Sequence, residues 1–316
     1  MKPSAPTAPS PETIATVCYT SGTTGNPKGV VLTHGNLIAN SAGMEATMFV
    51  QSDLPINEED VHMSYLPLAH IYERMMIINN LHAGCACGFS RGDPLLLLDD
   101  IQALQPTIFF SVPRLWNRIY DGIMGAVNSA SFVQRALFKT AFNQKNAALR
   151  AGKPKPYVWE KLVFEKIQAR LGGRVRFLAS GSSPISSNIM EFLRTCFCPL
   201  IEGYGMTEAG CSITTTHPGD TVLAHVGAPI ACFEVKLDDV PEMGYTHADA
   251  PYPRGEICVR GPSVFQEYYK DEVNTREAID ADGWLHTGDI GTWVEQGRLK
   301  IIDRKKVRVI PLGCYA

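Results

Sequence analysis

The sequence predicts an α/β fold, in which a layered sheet of strands and helices is joined to a smaller β-rich region. Three observations lead to this prediction. Buried-type strands alternate with helices over most of the first 225 residues, and a polar glycine-rich loop interrupts the first two predicted strands. From about residue 225 onward, short strands are separated by turns with no long helix between them.

The first element is a strand over residues 14–19, where apolar and β-favouring side chains predominate. It breaks into the polar loop 20–29, and residues 30–32 resume as a second strand. A helix is then predicted to begin at Thr33 or His34.

Further along, residues 99–104 are predicted as a short helix and residues 106–112 as a buried strand. Residues 114–127 form the next helix, because apolar side chains recur at about every fourth position. A helix over 159–171 has Leu162, Val163 and Ile167 on one face and ends at Gly172-Gly173. Residues 175–179 are a buried strand that leads into the loop 180–184. Ligands of such sheets bind at the loops beyond the strand ends.

In the β-rich region, the predicted strands cover residues 234–237, 256–260, 292–295 and 299–303. The predicted organisation is a disordered lead-in (1–13), an α/β core (14–224), a β-rich subdomain (225–302) and a tail (303–316). The ligand is expected where the core and the subdomain meet.

Composition limits the classes of function. Apolar residues make up 45% and charged residues 19% of 316 residues, which is typical of a packed globular chain, and the formal charge of -3 does not favour nucleic acid as a partner. No apolar run has transmembrane length, so no transmembrane segment is expected. The nine cysteines are scattered, and we interpret them as small buried hydrophobic residues of a reducing compartment rather than as a metal site.

The loop 20–29 has the composition of a phosphate cradle. Glycines let backbone N–H groups turn toward an anion, hydroxyls donate further hydrogen bonds, and a lysine neutralises charge. The residues concerned are Thr20, Ser21, Gly22, Thr23, Thr24, Gly25 and Lys28. A flexible surface turn is the alternative. The loop does not match the Walker motif of a P-loop kinase, which requires Gly-Lys-Ser/Thr, because Lys28 follows a proline and precedes a glycine.

Five segments in order resemble the motifs of the acyl-adenylate-forming enzymes, the superfamily of acyl-CoA synthetases, peptide-synthetase adenylation domains and luciferases. They are residues 19–30 (YTSGTTGNPKGV), 66–74 (LPLAHIYER), 202–208 (EGYGMTE), 283–289 (GWLHTGD) and 297–306 (GRLKIIDRKK). The wording of the last two looks most like long-chain acyl-CoA synthetases of eukaryotes. The resemblance implies the large N-terminal domain of such an enzyme.

The third motif is similar to the adenine-binding motif of the family. Tyr204, between Gly203 and Gly205, would stack on the purine. Thr207 and Glu208 would offer a hydroxyl and a hard oxygen ligand for Mg²⁺. The alternative for Tyr204 is an aromatic side chain packed in a turn.

The resemblance also assigns roles outside that motif. Asp289 would bind the ribose hydroxyls and Arg304 would reach the ribose or a phosphate, whereas a turn aspartate and a solvated arginine are the alternatives. His70 would position the substrate carboxylate, although a lone histidine is more often a structural hydrogen-bonding group. Gly181 and Ser182 would contact the nucleotide through their backbone, or else form an ordinary turn.

A basic stretch accompanies a predicted helix and the loop that follows it. Its members are Arg135, Lys139, Lys145, Arg150, Lys153 and Lys155, with Phe132, Leu137, Phe138 and Phe142 interleaved. The usual interpretation is a solvated face above a stripe that faces the core. Peripheral contact with a membrane surface is the alternative.

By resemblance, the reaction joins a long-chain fatty acid to AMP from ATP and then transfers the acyl group to CoA. The family continues beyond both ends of this chain, into an N-terminal part and a small C-terminal domain that carries a catalytic lysine. We therefore expect impaired activity from this chain alone, and a non-catalytic nucleotide-binding fragment is the alternative. Such enzymes lie inside the cell, on the cytosolic face of the endoplasmic reticulum or at the peroxisome, and this chain carries no address that can be read.

Overall fold

The computed structural model describes residues 8–20, 27–49 and 54–305. The chain divides into two compact units, each assembled from separate segments. Unit 1 comprises Met1–Met44, Met206–Thr214 and Gly227–Ala316, and unit 2 comprises Glu45–Gly205 and Thr215–Val226. The domain bounds expected from the sequence run consecutively along the chain, and they stay a prediction.

Among the described residues, the strands in chain order are β1 (Ile14–Thr20), β2 (Lys28–Thr33), β3 (Val61–Ser64), β4 (Ala86–Phe89), β5 (Ile108–Ser111), β6 (Phe177–Ser180), β7 (Leu200–Met206), β8 (Cys211–Thr215), β9 (Ala228–Pro229), β10 (Glu234–Asp238), β11 (Arg254–Arg260), β12 (Glu267–Tyr268), β13 (Leu285–Val294) and β14 (Arg298–Arg304). The α-helices are α1 (His34–Met44), α2 (Ile71–His82), α3 (Leu97–Leu104), α4 (Pro113–Ser129), α5 (Phe132–Arg150), α6 (Tyr157–Trp159), α7 (Glu165–Gln168), α8 (Ser187–Cys196) and α9 (Glu272–Ala278). The predicted α/β class is confirmed.

Unit 2 is built on parallel strands in the order β4-β3-β5-β6-β7. All four residues of β5 are buried, because a parallel sheet carries helices on both faces. Trp116 from α4 meets Phe109 edge-on at 5.6 Å between ring centroids, and both side chains are fully buried. This contact packs α4 against the parallel sheet, and the predicted loop with Gly181 and Ser182 leaves the same sheet after β6.

The helix predicted over residues 159–171 is irregular. A π-helix (Glu160–Phe164) separates α6 from α7, and a 3₁₀ turn (Ala169–Leu171) ends at Gly172, which has a φ of +85°. A π turn contains one extra residue, so it rotates the face that points inward. Phe164 is fully buried and Val163 and Ile167 pack against the core, whereas Leu162, predicted to share one face with those two residues, is 54% exposed.

The basic stretch on α5 also differs from its expected arrangement. Phe132 is 78% exposed instead of facing the core. Lys145, expected in a solvated face, is fully buried, where its ammonium lies 2.5 Å from Glu160 Oε1 and 4.1 Å from the ring centroid of Phe164. A buried lysine needs such a partner, because an unpaired charge in the core is strongly unfavourable. None of the helices in the described ranges combines the length and the apolar character needed to span a membrane.

Unit 1 contains two antiparallel sheets, with strand orders β1-β2-β12 and β10-β11-β13-β14. The strand–loop–strand–helix order predicted at its start is confirmed by β1, β2 and α1. The amide of Asn36 on α1 donates to the carbonyls of Pro262 and Val264, at 2.8 and 2.9 Å. The amide of Asn40 donates to the carbonyls of Ala209 and Ser212, at 3.2 and 2.9 Å. Asn40 thus holds the turn that carries Glu208, and Asn36 holds the segment 262–264, whose Ser263 hydroxyl donates to the Ala209 carbonyl of that turn at 2.9 Å.

Candidate functional site

The phosphate-binding loop predicted from the sequence connects β1 to β2. Thr20 and Lys28 form the last pair of this antiparallel hairpin, and the Thr20 hydroxyl lies 3.5 Å from the Lys28 carbonyl oxygen. The predicted contacts of Ser21, Gly22, Thr23, Thr24 and Gly25 lie outside the described residues. The Lys28 ammonium donates to Asn274 Oδ1 on α9 and lies 5.0 Å from the ring centroid of Tyr268.

Glu208 lies in a short 3₁₀ turn (Thr207–Ala209), where both Thr207 and Glu208 are buried. The Tyr268 hydroxyl donates to Glu208 Oε1 at 2.7 Å, and the backbone N–H of Phe265 donates to the Glu208 carbonyl at 2.8 Å. Burial, together with the charge of Glu208 and the hydrogen bond to it, raises the pKa of Tyr268. The phenol therefore stays protonated and donates at neutral pH.

Tyr268 thus contacts both Lys28, which is predicted to bind phosphate, and Glu208, which is predicted to bind Mg²⁺. It pairs with Val30 through β12, which places its side chain beside the start of β2. Tyr268 lies in none of the five motifs, and one tyrosine in a short strand gives no local signal of function. Only its contacts with Lys28 and Glu208, respectively 240 and 60 residues away along the chain, reveal it.

Asp289 and Arg304 are register partners on β13 and β14. The Arg304 Nε lies 3.0 Å from Asp289 Oδ1, and the side chains are 59% and 16% exposed, respectively. Two residues selected from separate motifs therefore form one ion pair that solvent can reach. Their roles toward a nucleotide stay predictions.

Among the described residues, one group of side chains has the composition of a metal site: Asp238, Cys258 and His286, on β10, β11 and β13. Its members already have partners in the protein. The Lys236 ammonium lies 3.0 Å from Asp238 Oδ2, and the Cys258 Sγ lies 3.4 Å from His286 Nδ1. Burial raises the pKa of Cys258, which disfavours the thiolate that a metal requires. The group is explained as a hydrogen-bonded network on the sheet face.

In unit 2, the loop with Gly181 and Ser182 begins at the carboxyl end of β6. Ser180 is the register partner of Glu202 on β7, so this loop starts beside the motif residues Gly203, Tyr204 and Gly205. Tyr204 is buried to 9% exposure. A side chain at Gly181 would lie 3.2 Å from the Tyr72 ring, and Ser182 has a φ of +71°, which non-glycine residues rarely adopt.

His70 is the N-cap residue of α2, where its Nδ1 accepts a hydrogen bond from the Tyr72 N–H at 3.2 Å. Partial desolvation lowers the pKa of His70, so the neutral imidazole that can accept this bond is favoured. The residue is exposed. The structural role weighed in the sequence analysis is therefore present, and a contact with the substrate carboxylate stays a prediction.

Comparison with known proteins identifies the family. The model of the AMP-binding enzyme family matches residues 1–269, and the chain belongs to this family. It is 60% identical over 301 residues to the peroxisomal long chain acyl-CoA synthetase 7 of Arabidopsis thaliana, covering 94% of this chain and 42% of that protein. It is 48% identical over 306 residues to human long-chain-fatty-acid–CoA ligase 1, covering 95% and 42%. The predicted resemblance to long-chain acyl-CoA synthetases is confirmed, and the chain spans about 42% of the length of these relatives.

Solved structures share the fold of this chain. The adenylation–carrier didomain of a carboxylic acid reductase from Segniliparus rugosus, in complex with AMP, matches with a TM-score of 0.68 and 29% identity, covering 93% of this chain and 36% of that one. The o-succinylbenzoate–CoA synthetase of Bacillus subtilis, in complex with ATP and magnesium, matches with a TM-score of 0.66 and 24% identity, covering 94% and 51%. The second likeness shows the shared fold alone.

Proposed function

We propose that this chain is the ATP-binding part of an AMP-forming long-chain fatty acid–CoA ligase. The observation that carries the proposal is the contact of one buried tyrosine, Tyr268, with both Glu208 and Lys28. A carboxylate and a lysine that contact the same side chain offer a magnesium-bound triphosphate a metal ligand and a positive charge. The names of the two relatives described above supply the substrate class.

In the proposed first half-reaction, a fatty carboxylate oxygen attacks the α-phosphorus of ATP. The bond from that phosphorus to the α–β bridging oxygen breaks, and pyrophosphate leaves with the electron pair. In the second half-reaction, the CoA sulfur attacks the acyl carbon, and AMP leaves. Because two anions must meet in the first step, catalysis depends on positioning and on neutralising charge.

The predicted site residues have separate parts in this scheme. The loop from Thr20 and the ammonium of Lys28 would hold the phosphates. Tyr204 would stack on the adenine while Asp289 and Arg304 bind the ribose. His70 would orient the fatty carboxylate as a neutral hydrogen-bonding group.

The oxygens of Glu208 and Thr207 fit Mg²⁺, which prefers hard oxygen ligands. The hydrogen bond from Tyr268 to Glu208 is the outer contact that orients a metal-binding carboxylate. When bound, Mg²⁺ would supply charge neutralisation at the phosphates.

The test measures palmitoyl-AMP formed in a single turnover from ATP, Mg²⁺ and radiolabelled palmitate by a reconstituted full-length enzyme that contains this chain, because the chain alone is expected to be impaired. We expect Glu208→Gln to lower adenylate formation by roughly 10²- to 10³-fold, because Gln keeps the shape but loses the charge. Glu272→Gln is the matched control, since Glu272 is 83% exposed. ATP binding without any palmitoyl-AMP would support a purely nucleotide-binding role and overturn the proposed activity. Equal losses of thermal stability and of activity in Glu208→Gln would indicate a structural carboxylate instead.

The proposal includes a compartment and a membrane contact. Two relatives from Arabidopsis thaliana carry the word peroxisomal in their names, which favours the peroxisome over the endoplasmic reticulum. A fluorescent fusion that fails to overlap a peroxisomal marker would contradict this choice.

The exposed apolar side chains of α5, which lie among basic residues, would provide the membrane contact.

A further inference from the structure

Glu256 is a buried carboxylate of β11 that holds three groups at once. It is 4% exposed. Its Oε1 accepts a hydrogen bond from the backbone N–H of Gly288 at 3.0 Å. Its Oε2 lies 2.9 Å from the Lys305 ammonium and 3.1 Å from Nδ1 of His286.

These contacts converge on one short turn. Gly288 immediately precedes Asp289 and has a φ of +74°, a conformation that favours glycine. The carbonyl of Gly288 accepts a hydrogen bond from the backbone N–H of Lys305 at 2.7 Å, and Lys305 immediately follows Arg304. Glu256 therefore restrains the peptide before Asp289 and the residue after Arg304 together.

The carboxylate is charged in this setting. Burial alone would raise the pKa of Glu256, but hydrogen bonds from Lys305 and His286 together bring that pKa below its usual range. A buried carboxylate that is paired and hydrogen-bonded on both oxygens forms a rigid connection, because breaking it would leave a charge without a partner.

We propose that Glu256 is a positioning residue of the nucleotide site, which holds the Gly288 turn and Lys305 so that Asp289 and Arg304 face the ribose hydroxyls. This inference rests on the proposed ribose contact of Asp289. It adds a residue that none of the five sequence motifs contains. Glu256 touches neither ribose nor phosphate in this scheme and acts through the two residues that do.

Glu256→Gln tests the proposal. The NH2 group of the glutamine would face one of the groups that now donate a hydrogen bond to Glu256, and that hydrogen bond would be lost. We expect the dissociation constant for ATP to rise roughly 10-fold, by analogy with removing an outer hydrogen-bond partner from a binding residue. For 2′,3′-dideoxy-ATP, which lacks the ribose hydroxyls, the same variant should bind as the parent chain does. Isothermal titration calorimetry with both nucleotides measures this difference, and a merely structural role would not produce it.

Two further variants keep the test decisive. Glu234→Gln is the control, since Glu234 lies on the neighbouring strand β10 with 65% exposure and should bind ATP like the parent. If Glu256→Gln unfolds, Lys305→Gln carries the test, because Lys305 is 34% exposed and loses the same ion pair. The role of Glu256 would be overturned, without affecting the proposed ribose contact, by either of two results. In the first, Glu256→Gln weakens the binding of ATP and of dideoxy-ATP equally. In the second, Glu256→Gln weakens neither, while Asp289→Asn weakens ATP binding. If the parent chain and Asp289→Asn bind both nucleotides equally well, the proposed ribose contact falls, and this inference falls with it.

Discussion

At the residue scale, Tyr268 is the connection between the lysine and the carboxylate of the predicted phosphate site. Its hydroxyl donates to Glu208, and its ring lies under the Lys28 ammonium. Removing the hydroxyl in Tyr268→Phe keeps the ring and its packing but releases one oxygen of Glu208. We expect the Mg²⁺ concentration needed for ATP binding to rise roughly 10-fold, because an outer hydrogen bond orients a metal-binding carboxylate.

Calorimetric titration of Mg²⁺ into the chain with ATP present checks this expectation. Tyr269→Phe is the matched control, since Tyr269 is the next residue and is 45% exposed. An unchanged Mg²⁺ requirement in Tyr268→Phe would show that Glu208 needs no such support.

Glu202 provides a prediction about pH. Burial raises the pKa of Glu202 from 4.5 to about 7, although the Ile185 N–H and the charge of Arg194 favour the ionised form. Between pH 4.5 and about 7, Glu202 keeps its proton in the folded protein and releases it in the unfolded chain. The free energy of unfolding should therefore fall as pH rises from about 4.5 to 7, by an amount on the order of 2 to 3 kcal/mol, and level off above.

Glu202→Gln should remove this part of the pH dependence and should melt at a higher temperature than the parent at pH 8. Thermal melts between pH 4.5 and 8 measure the slope, with Glu272→Gln as a variant that should keep it. The same slope in Glu202→Gln as in the parent would assign the pH dependence to other groups.

At the scale of single elements, the sequence pattern predicts some of the helices and strands but not how irregular they are, and it gives no signal for α2, α8, β3 or β4. The apolar repeat of α4 predicts a helix because one period dominates it, and the short continuous apolar run of β5 predicts a buried strand. The π turn before α7 was missed, since its extra residue depends on packing rather than on local preference.

This irregularity can be tested by comparing Phe164 with Leu162. We expect Phe164→Ala to lower the free energy of unfolding by about 3 to 5 kcal/mol, because it leaves a cavity in the core. Leu162→Ala should change it by only about 0.5 kcal/mol, since its side chain is largely exposed. Urea denaturation measures both, and the reverse order of effects would favour a regular helix with Leu162 inside.

At the scale of the whole chain, five separated motifs identify the family because each is a local run of residues that can be read without knowing the fold. The side chains that support these motifs could not be predicted in the same way. Glu256 comes 32 residues before the Gly288 that it holds, and Tyr268 comes 60 residues after Glu208. Such pairs are brought together by sheet register, which the sequence pattern does not specify across long connections.

A membrane contact is the remaining prediction at this scale, and it concerns α5. Phe132 and Val133 are 78% and 72% exposed at the start of this helix, and Arg135 and Lys139 lie within its first two turns. Apolar side chains next to basic ones are typical of a surface that binds anionic membranes. The double variant Phe132→Ser/Val133→Ser should bind vesicles containing phosphatidylserine at least about 10-fold more weakly, because inserting each side chain contributes on the order of 1 to 2 kcal/mol.

Co-sedimentation with vesicles measures the partitioning, and raising the salt concentration should weaken it because the attraction between exposed charges is screened. Val273→Ser is the control, since Val273 is 70% exposed on α9 and far from α5 in sequence. If the double variant and the parent partition equally, or if uncharged phosphatidylcholine vesicles bind the parent as well as anionic ones do, the exposed residues of α5 do not form a membrane-binding surface.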